Sequence, residues 1–334
     1  MTSQFIAMNT HHSRRSFLKS AAVLPFLGAS LFAADNPPAA GRLPIKRAGG
    51  AELKVSLNAY SFSRALNDFN LRQTGSVSLM SLLDFCAQNN FDAIDPTGYF
   101  FPGYPKVPTD DYINTFKRTA FEYGLGISGT GVRNNFTTAD KTVRAADIQL
   151  IKDWVEVAAK LGAPVIRVFA DTQSQAMTWQ DVAKGYTRDQ VQSWMADALG
   201  ECAEHGKKFG VIIGVQNHGD FIQTGQQLLD LVNAVNSDWC GVIVDTGKFV
   251  SKDPYADIAL VAPFAVNWQI KQSPAGADSV VPTDLLKLMR IVRASGYRGY
   301  LPIETLAPAS KVYDPFAVVP PFLKQVREAI AQTA

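Results

Sequence analysis

Two groups of polar side chains follow directly after short apolar stretches of this sequence. Gln216, Asn217 and His218 come after a run rich in valine and isoleucine, and Asp245 ends a second such run, shortly before Lys248. Amide and carboxylate oxygens bind metal ions or sugar hydroxyls, and histidine or lysine can also transfer a proton. Because active sites of α/β proteins lie where parallel strands end, this arrangement predicts a barrel or an open α/β sheet with its site at that edge.

The elements that must position these groups alternate regularly along the chain. Short apolar runs are each followed by a segment with apolar residues at helical spacing. The predicted strands cover residues 53–59, 93–95, 125–129, 165–169, 211–215, 241–245, 266–270 and 300–304. The predicted helices begin near residues 78, 109, 144, 188, 225, 254 and 283, and the last covers about 315–330.

This alternation, eight strands with eight helices, predicts a single-domain α/β fold, a (β/α)8 TIM barrel over residues 51–334. Alternation by itself does not establish closure, so an open doubly wound sheet stays as the alternative. Such a sheet would favour a nucleotide ligand, but no G-x-G-x-x-G motif follows the first strand and the sequence has no P-loop motif. The barrel is therefore the preferred architecture.

Residues 1–34 have the form of a twin-arginine export signal. Arg14 and Arg15 precede Phe-Leu-Lys and an apolar run over residues 21–34. That run is short and interrupted by a proline and a glycine, which argues against a stable membrane span; a retained amphipathic anchor is the alternative. Residues 35–50, rich in proline, alanine and glycine, are predicted to be a linker or arm. The protein is thus expected in the periplasm or otherwise exported.

The charge balance argues against nucleic acid as a partner. The formal net charge is +2, and residues 1–34 hold three cations and no acid, so the mature chain would carry 2 − 3 = −1. No basic run is available for a phosphate backbone. Cys86, Cys202 and Cys240 lack C-x-x-C spacing and are predicted to be buried structural thiols.

On a barrel, almost every predicted strand delivers a polar side chain to one rim, as a small, hydroxyl-rich ligand requires. Structural roles stay open for several of them, since arginines can pack loops and Asp171 can cap the segment after it. The aromatic loop of residues 99–104 is expected to form a lid or a sugar-stacking wall, or to pack against a second subunit of a homo-oligomer. The residues expected to bind a sugar substrate are Asn58, Tyr60, Asp95, Arg133, Arg167 and Asn217.

Several motifs carry a family resemblance. QNHGD, VDTGK, WQIK and GYRGYLPIET, with SLNAYSF near the start, resemble the xylose isomerase-like barrel superfamily, the sugar phosphate isomerase/epimerase group, over about residues 53–330. The resemblance implies a divalent metal held by a Glu, an Asp, a His and a Glu that end the fifth to eighth strands. These positions fall on Gln216, Asp245, Gln269 and Glu304.

Two of the four positions depart from that pattern, with glutamine in place of a glutamate and of a histidine. A glutamine oxygen binds hard cations without adding charge, so Mn²⁺, Mg²⁺ or Ca²⁺ is expected rather than Zn²⁺, at reduced affinity. Gln216 cannot act as a base, which leaves Glu304 as the expected base. His218 or Lys248 could serve as a second acid/base, and Lys271 could polarise a carbonyl oxygen.

These features together predict an exported carbohydrate-active enzyme, isomerase- or epimerase-like, that removes a proton next to a sugar carbonyl with a divalent metal. Elimination from a 3-keto-glycoside and a sugar-binding protein without catalysis remain alternatives. The DNA-repair endonucleases of this barrel type need three metals and several histidines, whereas this chain has four histidines, two of them in the predicted signal. A small sugar is therefore the expected partner.

Overall fold

The structure is a computed structural model that describes residues 41–173, 176–276, 279, 281–308 and 312–334. The predicted export signal and its cleavage region lie outside the described residues. Residues 41–334 form one compact unit. Within the described ranges, no helix combines the length and the apolar character that a membrane span needs.

Strands and helices alternate along the described chain. The strands are β1 (Glu52–Asn58), β2 (Ala93–Asp95), β3 (Gly126–Ile127), β4 (Thr130–Gly131), β5 (Val165–Phe169), β6 (Ile212–Gln216), β7 (Cys240–Asp245), β8 (Ala265–Lys271) and β9 (Arg298–Glu304). The α-helices are α1 (Ser63–Asn67), α2 (Leu79–Gln88), α3 (Asp110–Glu122), α4 (Lys141–Leu161), α5 (Trp179–Ala183), α6 (Arg188–Phe209), α7 (Gly225–Val235), α8 (Pro254–Val261), α9 (Leu285–Ala294) and α10 (Pro315–Gln332).

The strands form one nearly closed parallel sheet. Its order is β3-β2-β1-β9-β8-β7-β6-β5-β4, and every recorded pair is parallel. The two ends of that order, β3 and β4, are separated along the chain by Ser128 and Gly129 alone, so together they fill one position between β2 and β5. The sheet therefore has eight positions, and the predicted (β/α)8 barrel is confirmed.

The third position differs from the single strand predicted over residues 125–129. A Cβ on Gly129 would lie 2.8 Å from Asn267 Nδ2, and one on Gly131 would lie 2.6 Å from Arg167 Nε. Polar side chains of the barrel interior thus approach the backbone where only glycine leaves room. Because glycine weakens a strand and gives no side chain to pack, the ladder breaks into two short pieces.

Residues 41–50, part of the predicted linker or arm, run under the amino-terminal ends of the last strands. The backbone N–H of Arg42 donates to Asn233 Oδ1 at 3.1 Å, and the backbone N–H of Ile45 donates to Pro263 O at 3.0 Å. The Arg47 guanidinium lies 5.1 Å from the centre of the Tyr297 ring. This segment covers the end of the barrel opposite the strand ends that carry the polar groups.

The apolar core fills the space between the sheet and the surrounding helices, with Trp154, Trp268 and Phe116 among its largest buried side chains. The three cysteines are buried and unpaired, as predicted. Burial raises the pKa of Cys202 and of Cys240 to about 12, so both thiols are protonated at neutral pH.

Candidate functional site

A cavity of about 580 Å³ opens at the carboxyl ends of the strands. Two of the predicted groups of polar residues meet there, because β6 and β7 are adjacent and parallel, with Gln216 in register with Ile243. Additional walls come from Tyr99, Phe169, Asp171 and Trp179. The predicted site residues that line this cavity are Asn58, Tyr60, Arg133, Arg167, Gln216, His218, Lys248, Lys271 and Glu304.

The floor of the cavity is an ion-paired cluster. Lys271 Nζ lies 3.4 Å from Asp245 Oδ2 and also pairs with Glu304 Oε1. Sheet register explains the contact, because Lys271 is paired with Glu304 across β8 and β9, and Asp245 is paired with Gln269 across β7 and β8. The side chains of Lys271 and Asp245 are 5% and 0% exposed. Burial lowers the Lys271 pKa, but Asp245 and Glu304 raise it by more, so the amine is held as an ammonium ion.

Both glutamines at the predicted metal positions have their oxygens engaged by neighbouring donors. Gln216 Oε1 accepts a hydrogen bond from Arg167 Nη1 at 3.2 Å, while Gln216 Nε2 donates to Asp245 Oδ2 at 2.6 Å. Gln269 Oε1 accepts from Asn58 Nδ2, and Gln269 Nε2 is buried without a hydrogen-bond partner. The side-chain oxygens that would face a cation are therefore turned towards N–H donors.

This donor set does not fit a divalent metal. Among the described residues, no group of three or more His, Cys, Asp or Glu side chains could hold one. The two carboxylates at the predicted metal positions, Asp245 and Glu304, already compensate the charge of the buried Lys271 ammonium. A divalent ion between them would add two positive charges beside that ammonium, and the two carboxylates could not compensate all three. Both carboxylates that the family resemblance assigns to a metal, Asp245 and Glu304, are thus paired with Lys271.

A second buried cation stands beside the floor. Arg167 is 7% exposed, donates to Tyr99 Oη at 3.1 Å, and has its guanidinium carbon 4.4 Å from the centre of the Phe169 ring. The exposed Arg133 has its guanidinium carbon 4.5 Å from the centre of the Tyr99 ring. Tyr99 therefore joins the two arginines into a wall that offers N–H donors and an aromatic face to a ligand.

Asp95 is buried and does not line the cavity. Burial raises its pKa to about 7; Arg167 opposes that rise and Glu304 adds to it. The predicted contact between Asp95 and a sugar therefore finds its carboxyl group away from the cavity surface. A carboxyl group with this pKa is partly protonated near neutral pH, which limits the negative charge in the floor.

His218 and Asp171 form a hydrogen-bonded pair that lines the same cavity. His218 Nδ1 bonds to Asp171 Oδ2, and the imidazole packs edge-on against Phe169 with ring centres 4.8 Å apart. Asp171 also accepts from the backbone N–H of Gln173 at 3.0 Å. Burial raises the Asp171 pKa, but the bonds from His218 and Gln173 outweigh it and lower the pKa overall. The ionised carboxylate fixes the ring so that Nε2 is free for a ligand.

Asn217 is not a cavity residue, in contrast to its predicted role as a sugar ligand. Its side chain is fully buried; Nδ2 donates to Asp245 O at 2.9 Å, and Oδ1 accepts from Asp245 N at 2.8 Å. Asn58 is also largely committed to structure, because its Oδ1 accepts from Tyr60 N at 2.8 Å and its Nδ2 donates to Gln269. These amides fix the strand ends on which the cavity residues stand.

The aromatic loop of residues 99–104 divides between two roles. Tyr99 lines the cavity, whereas Phe100 and Phe101 are each 1% exposed and belong to the core. Sequence reasoning missed Phe169 and Trp179, and with them the wall that follows β5. The signal available was Asp171 directly after a strand end, followed by a polar stretch ending in a tryptophan.

Comparison with known proteins places this geometry in a family context. A family model described as xylose isomerase-like TIM barrel matches residues 83–330. D-psicose 3-epimerase from Clostridium cellulolyticum H10, solved with D-tagatose, has a TM-score of 0.67 and 15% identity, covering 83% of this chain and 99% of that chain. Comparison with curated protein sequences gives no match.

Two further solved structures share the fold, with similar TM-scores and sequence identities. The apo form of 3-keto-D-glucoside 4-epimerase from E. coli has a TM-score of 0.65 and 14% identity, covering 83% of this chain and 99% of that chain. L-ribulose 3-epimerase has a TM-score of 0.66 and 16% identity, with coverages of 84% and 95%. At such identities the likeness extends to the fold alone. Since the family model matches most of the chain, from α2 to α10, the protein belongs to the xylose isomerase-like TIM barrel family.

Proposed function

We propose that this protein is a sugar isomerase- or epimerase-like enzyme that removes a proton from the carbon next to a sugar carbonyl, with Glu304 as the base. The observation that carries the proposal is the pairing of Glu304 with the Lys271 ammonium at the floor of a polar cavity. A carboxylate base beside a fixed cation is what enolisation needs, because charge leaves the base and develops on the carbonyl oxygen.

The proposed step transfers one proton and moves one pair of bonding electrons. A Glu304 oxygen takes the proton as the C–H bond breaks, and the bonding electrons form a carbon–carbon double bond while the carbonyl oxygen gains negative charge. Lys271 Nζ donates a hydrogen bond to that oxygen. Return of the proton to the other face of the same carbon, as the oxygen re-forms its carbonyl bond, gives an epimer. Transfer of the hydroxyl proton of that carbon to the former carbonyl oxygen, with return of the carbon-bound proton to the former carbonyl carbon, gives an isomer. His218, oriented by Asp171, is the group placed to supply the second proton transfer.

The walls of the cavity support a sugar as the substrate. Arg133, Arg167 and Lys248 offer hydrogen-bond donors, and Tyr99 offers a ring face, as hydroxyl-rich sugars require. The twin-arginine motif of residues 14–15 supports an exported enzyme, and free sugars or glycosides are then more accessible than sugar phosphates. The related folds include a psicose epimerase and a 3-keto-glucoside epimerase, which makes ketohexoses and 3-keto-glucosides the sugars to screen.

Deuterium exchange tests the proposal. The protein is incubated with each sugar in D2O, and NMR follows deuterium at the carbon next to the carbonyl. Glu304→Gln should slow exchange by about 10²- to 10⁴-fold, the usual contribution of a general base, while isothermal titration still detects sugar binding. Glu122→Gln, an exposed change on α3, is the matched control and should exchange like the parent protein.

Two outcomes would remove the proposal. Unchanged exchange in Glu304→Gln would exclude this residue as the base. Sugar binding without exchange in the parent protein would favour the alternative of a binding protein, for which the engaged oxygens of Gln216 and Gln269 are the supporting observation.

A further inference from the structure

We propose that the ammonium group of Lys271 takes the place of the divalent cation in this site, so that the floor of the cavity carries its own cation and excludes a metal. The inference deepens the proposed function and rests on it for the chemistry of the carbonyl oxygen. It concerns what the floor binds, which can be measured without turnover.

The position of Lys271 is the first argument. Its Nζ contacts a carboxylate from each neighbouring strand, Asp245 on β7 and Glu304 on β9, and it enters from β8 between them. A cation that uses these two carboxylates must occupy the same space as the ammonium group. Lys271 is itself 4% exposed, and withdrawal of its nitrogen would leave the buried carboxylate of Asp245 without its cation.

The loop after β7 leaves room for the aliphatic part of the Lys271 side chain because position 247 is a glycine. A Cβ on Gly247 would lie 2.7 Å from Lys271 Cγ and 2.8 Å from Ser273 O. The loop after β7 thus approaches the lysine so closely that a side chain at position 247 would displace it. The backbone N–H of Lys271 also donates to Thr246 Oγ1 at 2.9 Å, which ties the start of the side chain to the same loop.

The amides around the ammonium complete the argument. Gln216 gives an N–H, not an oxygen, to Asp245, and Asn58 gives an N–H to the oxygen of Gln269. A metal site needs oxygens or nitrogens with free lone pairs directed inward. Here the oxygens of Asp245 and Gln269 already accept hydrogen bonds from the amides of Gln216 and Asn58. This arrangement suits a site in which the ammonium group of Lys271 neutralises the carboxylates.

Two explanations for weak metal binding must be separated. In the first, the site lacks ligands because glutamine stands at positions 216 and 269. In the second, which is our proposal, Lys271 excludes the metal whatever the other ligands are. Gln269→His restores a strong ligand and keeps the lysine, whereas Lys271→Gln removes the lysine and keeps the glutamines.

The experiment measures Mn²⁺ binding by electron paramagnetic resonance and by the thermal shift that Mn²⁺ causes. The parent protein and Gln269→His should both show no stoichiometric binding. Lys271→Gln, and more clearly Gln269→His/Lys271→Gln, should bind one Mn²⁺ with an affinity at least about a hundredfold higher than the parent, which is about 2.8 kcal/mol at 1.4 kcal/mol per tenfold.

Each other outcome overturns the inference. Stoichiometric Mn²⁺ in the parent protein or in Gln269→His would show that Lys271 does not exclude a metal. Failure of the soluble Lys271→Gln proteins to gain Mn²⁺ would show that the lysine is not what excludes the metal. If Lys271→Gln does not fold, the Gln269→His result alone decides. Deuterium exchange in the presence of EDTA separately tests the proposed function, so the two can fail independently.

Discussion

The side chain of Asn217 pairs with both backbone groups of Asp245, accepting from its N–H at 2.8 Å and donating to its C=O at 2.9 Å. Asn134 makes the same pair of bonds two strand positions earlier in the barrel, donating to Phe169 O at 2.9 Å and accepting from Phe169 N at 2.8 Å. Each amide follows one strand and continues the hydrogen bonding of the sheet onto the last residue of the next. These bonds fix the ends of β5 and β7 relative to the strands that precede them in the sheet.

Replacement of Asn217 by alanine should therefore destabilise the fold. Two buried backbone groups of Asp245 would lose their partners, at about 1 to 3 kcal/mol each, so the free energy of unfolding should fall by about 2 to 6 kcal/mol. Urea unfolding followed by circular dichroism measures the change. The matched control is Asn114→Ala, an exposed change on α3, which should stay within about 0.5 kcal/mol of the parent. A loss of sugar affinity at unchanged stability would instead restore Asn217 as a ligand.

The pair of His218 with Asp171 gives a prediction on turnover. His218→Gln removes the imidazole from the cavity and should lower kcat by about 10²- to 10⁴-fold, with KM changed much less, because a proton-transfer group acts in the transition state. Asp171→Asn keeps the imidazole but removes the charge that orients it, so it should lose part of the same kcat. Deuterium exchange into the best sugar of the screen supplies both constants.

A control for that prediction is His205, which lies on α6 and pairs with Glu156 at 3.4 Å, away from the residues that line the cavity. His205→Gln should leave kcat and KM unchanged. Equal kcat in the parent and in His218→Gln would remove His218 from the mechanism and leave Glu304 as the only group proposed to move a proton.

The strand ends were predictable because they depend on local sequence. Runs such as residues 241–245 are apolar and rich in valine, and each stops at a polar residue, so β7, β8 and β9 end at or within one residue of the predicted bounds. The third strand differs from the prediction over residues 125–129. Its division into β3 and β4 depends on the approach of Arg167 and Asn267 from elsewhere in the barrel, which local sequence does not reveal.

The partners of the site residues depend on register, and this limited the sequence-based prediction. Gln269 and Lys271 are two residues apart on β8, so their side chains point to the same face of the sheet, a relationship the sequence does contain. Whether the lysine stands level with Glu304 or with Asp245 depends on the stagger between neighbouring strands. The structure pairs Lys271 with Glu304, and that register brings the ammonium group to the position expected for a metal.

Asp95 should make the stability of the protein depend on pH. Its folded-state pKa is raised from 3.8 to about 7, chiefly by burial. A carboxyl group whose folded pKa is raised contributes stability that is fully present below the unfolded pKa and is lost as pH rises through the folded pKa. Asp95→Asn cannot ionise, so relative to the parent it should gain a few kcal/mol between about pH 4 and about pH 8, at about 1.4 kcal/mol per pKa unit.

Urea unfolding of the parent and of Asp95→Asn across that pH range measures the difference in the free energy of unfolding. Asp197→Asn, the same chemical change at an exposed position of α6, should differ from the parent by no more than about 0.5 kcal/mol throughout. A difference for Asp95→Asn that stays constant with pH would mean that Asp95 is ionised in the folded state over the whole range. The floor would then hold a further negative charge beside Arg167, and the balance of buried charges that disfavours a divalent cation would be weaker than inferred from Lys271, Asp245 and Glu304.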